Sequence, residues 1–116
     1  MGKRNRTRER LRAPTSESSD AEHGVLVLRG SMTPATRAAY RAVVHDQGAT
    51  TEDSWQRGVE FLFERLVVRW TISGVPTDGQ RELLERFRMA GAAERRFVRD
   101  ALRAHLAEHF PELEAP

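Results

Sequence analysis

Between Trp55 and Trp70 the large apolar residues recur three and four positions apart: Trp55, Val59, Leu62, Phe63, Leu66, Val67 and Trp70. That spacing places them on one face of an α-helix, whereas Arg57, Glu60, Glu64 and Arg65 fall away from it. A face this wide and this aromatic must be covered, so the rest of the fold is expected to assemble around it. Thr50 with Asp53 supplies a start signal, since a threonine hydroxyl can accept the exposed N–H three residues on.

Three more helices are expected. Thr33-Pro34 opens one, with threonine as cap and proline at the first position, where its missing N–H costs nothing. Tyr40, Val43 and Val44 form its narrow apolar stripe, among Ala35, Ala38, Ala39 and Ala42. Thr71-Ile-Ser-Gly-Val-Pro76 reads as a break, with Gly74 and Pro76 ending the central helix. Thr77 with Gln80 then predicts a third helix through Leu83, Leu84 and Phe87, closed by Gly91. A fourth uses Phe97, Val98, Ala101, Leu102, His105 and Leu106, and stops at Phe110-Pro111.

Val25-Leu-Val-Leu28, between Gly24 and Gly30, reads as a short strand. No second strand is evident, so this one is expected to pair with a partner, pair with a copy of itself, or pack as an extended segment. The fold class expected is mainly α: a small bundle of about four helices, one short N-terminal β-strand and a disordered N-terminal tail. Residues 1–23 form the basic and polar tail, and residues 24–116 a single helical domain.

Charge divides the chain in the same place. Lys3, Arg4, Arg6, Arg8, Arg10 and Arg12 stand against Glu9 alone. Residues 13–23 carry Glu17, Asp20 and Glu22 with no Lys or Arg, and from Gly24 onward 13 arginines balance 13 acids. The stretch from Ala13 to Asp20 holds no large apolar residue, so it is read as unable to offset its ordering entropy by burial. Six cations on phosphates would give a log–log salt dependence of up to roughly −5.

Chemistry-bearing patterns are few. Cysteine is absent, which excludes disulfides, thiolate metal sites and cysteine nucleophiles. His105-Leu-Ala-Glu108-His109 matches the H-x-x-E-H string of inverted zinc peptidases. Only Glu112 and Glu114 remain downstream as a third ligand, so no metal is expected there, with His109 a cation at a helix C-terminus. Gly74-Val-Pro-Thr-Asp-Gly79 lacks the G-K-[ST] of a phosphate loop. No enzyme activity and no cofactor are expected. No apolar run reaches the ~18 residues of a membrane span, so the reading is a cytoplasmic protein without a membrane partner.

The segment from Val25 to Pro76 resembles the tail assembly chaperones of long-tailed bacteriophages. A short strand (Val25-Leu-Val-Leu-Arg-Gly30) leads into a helix. A second amphipathic helix then runs into Leu66-Val-Val-Arg-Trp70 and a turn with Gly74 and Pro76. The resemblance implies a non-enzymatic helper in the bacterial host cytoplasm that binds tape-measure and tail-tube proteins through amphipathic helices. The contact residues expected are Val25, Leu26, Val27, Leu28, Phe63, Leu66 and Trp70; self-association is the other protein contact open to such surfaces. The alternative is a nucleic-acid-associated accessory protein acting through Lys3, Arg4, Arg6, Arg8, Arg10 and Arg12.

Overall fold

A computed structural model describes residues 14–116. The chain forms β1 (Thr15–Asp20), β2 (Gly24–Arg29), α1 (Pro34–Val44), α2 (Thr51–Leu66), β3 (Val67–Ile72), β4 (Val75–Thr77), α3 (Gln80–Arg88) and α4 (Ala92–His109). The four strands make one antiparallel sheet in the order β1-β2-β3-β4. This corrects the mainly-α expectation: the strand Val25 to Leu28 is an inner strand of a four-stranded sheet, paired on both sides within its own chain. Thr15–Asp20, read from the sequence as tail, is its edge strand. The cationic residues Lys3 to Arg12 lie outside the described residues.

The helices form as their signals dictate at two places. Thr33 Oγ1 accepts from Thr36 N–H at 3.1 Å, with Pro34 next in the chain, and Thr50 Oγ1 accepts from Asp53 N–H at 3.1 Å. A third expectation fails: Thr77 belongs to β4, and α3 is preceded by Gly79 without a side-chain cap. Gly91 is the residue before α4, where the Glu94 carboxylate accepts its N–H at 3.2 Å.

The central helix is shorter than its apolar spacing suggests. It ends at Leu66, and the chain passes directly into β3, with Val67 already extended at φ −74° and ψ 124°. Val27 pairs with Arg69, but Leu28 pairs with Val67, so Val68 is an extra residue in a β-bulge. A bulge shifts the alternation by one. Val67 and Trp70, three apart, therefore both face the core, and the strand reproduces a helical spacing. Ile72 and Val75 are then joined by a two-residue turn in which Ser73 (φ 51°) and Gly74 (φ 79°) are both left-handed. That pair is the hairpin turn whose twist suits adjoining strands, where the sequence suggested only a break.

One face of the sheet carries Leu26, Leu28, Val67 and Trp70 into a single core with Leu62, Phe63 and Leu66 of α2. Leu83 and Phe87 of α3, Val98, Leu102 and Leu106 of α4, and Tyr40 of α1 complete it. Phe63 stacks on Phe87 with centroids 4.6 Å apart and meets the edge of Trp70 at 6.1 Å. At Gly58 the α1–α2 crossing is so close that a Cβ would lie 2.7 Å from Val44 Cγ1.

Candidate functional site

Leu26, Leu28, Phe63, Leu66 and Trp70 are each no more than 1% exposed. Five of the seven expected contact residues thus form the protein's own core and offer no surface to a partner. Trp70 has its indole N–H on the carbonyl of His23 at 2.8 Å and the Arg86 guanidinium over its ring at 5.0 Å. Val25 and Val27 are half-buried and lie on the opposite face of the sheet, across from Thr71 and Arg69 of β3.

The H-x-x-E-H string is placed on the last turns of α4, and its first histidine is committed to the fold. His105 Nε2 lies 2.5 Å from the carbonyl of Arg29, and Nδ1 lies 3.0 Å from Ser16 Oγ. A carbonyl can only accept, so Nε2 carries the proton and donates; in the neutral ring Nδ1 accepts from the Ser16 hydroxyl. Burial pushes the His105 imidazole below its ordinary pKa, with the hydrogen bond to Arg29 acting in the opposite direction. Both nitrogens are engaged in tying α4 to β1 and β2. The His109 ring lies tilted against His105 with centroids 4.5 Å apart, Glu112 pairs with Arg37 at 2.7 Å, and the Glu114 carbonyl accepts the Tyr40 hydroxyl at 2.5 Å. Burial raises that phenol's pKa.

The remaining shifted groups also serve the fold. The Asp20 carboxylate accepts the N–H of Glu22 at 2.7 Å and of His23 at 3.2 Å, closing the β1–β2 turn, and these bonds hold its pKa down. Gly24 ends that turn at φ 89°, where a Cβ would stand 1.9 Å from the Thr71 carbonyl oxygen. Glu94 is held below the usual carboxylate range by its hydrogen bond to Arg86. Arg88 is held above the ordinary arginine value by its hydrogen bond to Glu60. Among the described residues, no three His, Asp or Glu side chains gather as a metal site.

Among the described residues two open grooves stand out. The larger, about 800 Å³, runs between α2 and α4. Val43, Val59 and Phe61 supply its apolar floor above the buried Phe87, with Asp53, Arg57, Glu60 and Glu64 on α2 and Arg95, Arg96 and Arg99 on α4; Glu60 is already paired with Arg88. The smaller, about 400 Å³, lies between β1 and α4 and is lined by Ser18, Asp20, His23, Phe97, Ala101 and Ala104 among others. Sequence reasoning missed both. Ser18, Asp20 and His23 lie in a stretch read as tail, and the arginines of α4 are interleaved with Glu94 and Asp100, so no run of one sign marks them in the sequence.

The class these features define is an antiparallel α+β domain, with helices on one sheet face and its shifted titratable groups spent on structural bonds. Comparison of the chain with protein-family models, with curated proteins and with solved structures finds no match. Among the described residues no helix is long and apolar enough to cross a membrane.

Proposed function

We propose that this protein is a non-enzymatic tail assembly chaperone that binds tape-measure and tail-tube proteins while a phage tail is built. Two things support the reading. One is the resemblance from Val25 to Pro76. The other, which carries it, is the α2–α4 groove, where an apolar floor lies between a mixed α2 wall of Asp53, Arg57, Glu60 and Glu64 and an α4 wall of three arginines. An amphipathic helix of a client would lay its apolar stripe on Val43, Val59 and Phe61, with acidic residues on its flank meeting the α4 arginines. This moves the expected contact surface away from Phe63, Leu66 and Trp70, which are core.

Co-expression with the tape-measure and tail-tube proteins of the same gene cluster tests it. The wild type should retain a client on pull-down. Phe61→Ala combined with Arg99→Glu should cut retention about tenfold or more while the circular-dichroism spectrum stays that of the folded chain, as expected for an anchor lost from an interface. Absence of client retention, or retention indifferent to these substitutions, contradicts the proposal.

A second reading rests on the six cations of residues 3–12. Deleting residues 1–13 separates the two. A nucleic-acid accessory protein loses its salt-sensitive affinity for duplex DNA, whereas a chaperone working through the groove keeps its client.

A further inference from the structure

The direction of every β1 backbone group follows from one hydrogen bond. Gly30 N–H donates to the Pro14 carbonyl at 2.6 Å, and the register continues as Thr15 opposite Arg29 through Asp20 opposite Gly24 without a break. Antiparallel pairs alternate between bonded and non-bonded. Ser16, Ser18 and Asp20 therefore turn their N–H and C=O groups toward β2, and Thr15, Glu17 and Ser19 turn theirs outward along the edge of the sheet.

The two edges differ. β4 has three residues and contains Pro76, which blunts an edge. β1 has six, with no Pro, Lys or Arg and no bulge to deter pairing. Directly beside β1, on its helix side, lies the smaller groove. A strand added to this edge would drop alternate side chains between Ser18 and the surface formed by Phe97, Ala101 and Ala104 of α4, in a groove that Asp20, Arg96 and Asp100 also line. Its other side chains would stand on the open face next to Glu17, the one acid of β1 on that face, with Arg29 opposite Thr15 on the far side of β1. Small or apolar residues fit the first position and cations the second.

We infer that the β1 edge and the β1–α4 groove together form a docking site for an extended segment of a client protein, added as a fifth antiparallel strand, with apolar side chains toward α4 and basic side chains toward Glu17. The inference rests on the reading of this protein as a binder of polypeptides and assigns it a second kind of contact, made by main chain, beside the helix-binding groove. Main-chain hydrogen bonds supply affinity in such complexes and the alternating pockets supply selectivity.

The probe is a fluorescent peptide of about ten alternating valines and lysines, long enough to span an ordinary strand. Residues directly opposite across a sheet share a face, so the lysine opposite Glu17 also exchanges hydrogen bonds with it. Anisotropy titration of the full-length chain should show saturable binding. N-methylation of the lysine amides should abolish it, while N-methylation of the valine amides, which point away, should leave it intact. Glu17→Pro removes an outward N–H together with the carboxylate that faces the lysines, and no bond to β2, so it should spare the fold and weaken binding about tenfold or more.

No binding by the wild type, binding indifferent to Glu17→Pro, or binding that survives lysine N-methylation overturns the inference. So does protection of the Glu17 and Ser19 amides from exchange in the free protein: concentration-independent protection means that residues 1–13 occupy the edge, and concentration-dependent protection means that a second copy does. Clients still retained by Glu17→Pro but lost from the Phe61 and Arg99 variant would sink this site and leave the chaperone reading standing.

Discussion

β1 and β3 flank the same inner strand, yet opposite forces hold them. β3 is Val67–Ile72, five of whose six residues favour extended structure, and it buries Val67 and Trp70 in the core. β1 is Thr-Ser-Glu-Ser-Ser-Asp, without one apolar side chain. It is a strand because β2 offers it a free edge and because three polar devices fix its place. These are the Ser16–His105 bond, the Asp20 turn, and the Gly30 bond to Pro14. The lesson is that a strand can be specified by burial or by pairing, and only the first leaves an apolar trace in the sequence.

The difference predicts where damage spreads. Trp70→Ala should cost about 3–5 kcal/mol, as for other fully buried large aromatics, and should appear in urea unfolding as a loss shared by the whole domain. Gly24→Ala, at φ 89° and against the Thr71 carbonyl, should cost about 1–3 kcal/mol of backbone strain. It acts where β2 meets β3, so a thermal melt should report it as global.

On the β1 side the effects should be smaller and local. His105 takes up a proton less readily when folded than the ordinary value of 6.5 implies, because it is buried. The unfolded chain therefore binds the proton first. This contribution to stability is complete above about pH 6.5 and is lost as the pH falls through the lowered folded value. His105→Gln, whose amide can donate to Arg29 and accept from Ser16, should flatten that acid limb of a melting-temperature profile. An unchanged limb would remove the histidine from the account. Ser16→Ala should be the mildest, about 0.5–1.5 kcal/mol for one hydrogen bond, with faster amide exchange confined to β1.

Much of the helical frame was legible. The threonine caps at Thr33 and Thr50, the stripe from Trp55 to Leu66 and the proline stop at Pro111 all act as their residue types require. The sheet was not, for reasons particular to each strand. In β3 the bulge at Val68 puts Val67 and Trp70 on one face, so a strand counterfeited the helical period that precedes it. Its β-branched run was the signal that could have separated the two. In the hairpin, Ser73-Gly74 between Ile72 and Val75 is a turn signal that was taken as a helix end. β1 left nothing for a burial argument to find. The contact residues that the resemblance implies are all apolar, and that property is why Leu26, Leu28, Phe63, Leu66 and Trp70 bury one another. The grooves are lined by arginines, serines and alanines, which become a surface only once the fold brings α4 beside α2 and β1.

Residue-resolved amide exchange across Thr15 to Asp20 in the full-length protein goes most directly to the claim that pairing and polar bonds, without apolar burial, make β1. Slow exchange at Ser16, Ser18 and Asp20 beside fast exchange at Thr15, Glu17 and Ser19 is the predicted pattern. Fast exchange at all six residues would mean that no strand is there, and the account of this side of the molecule would fail.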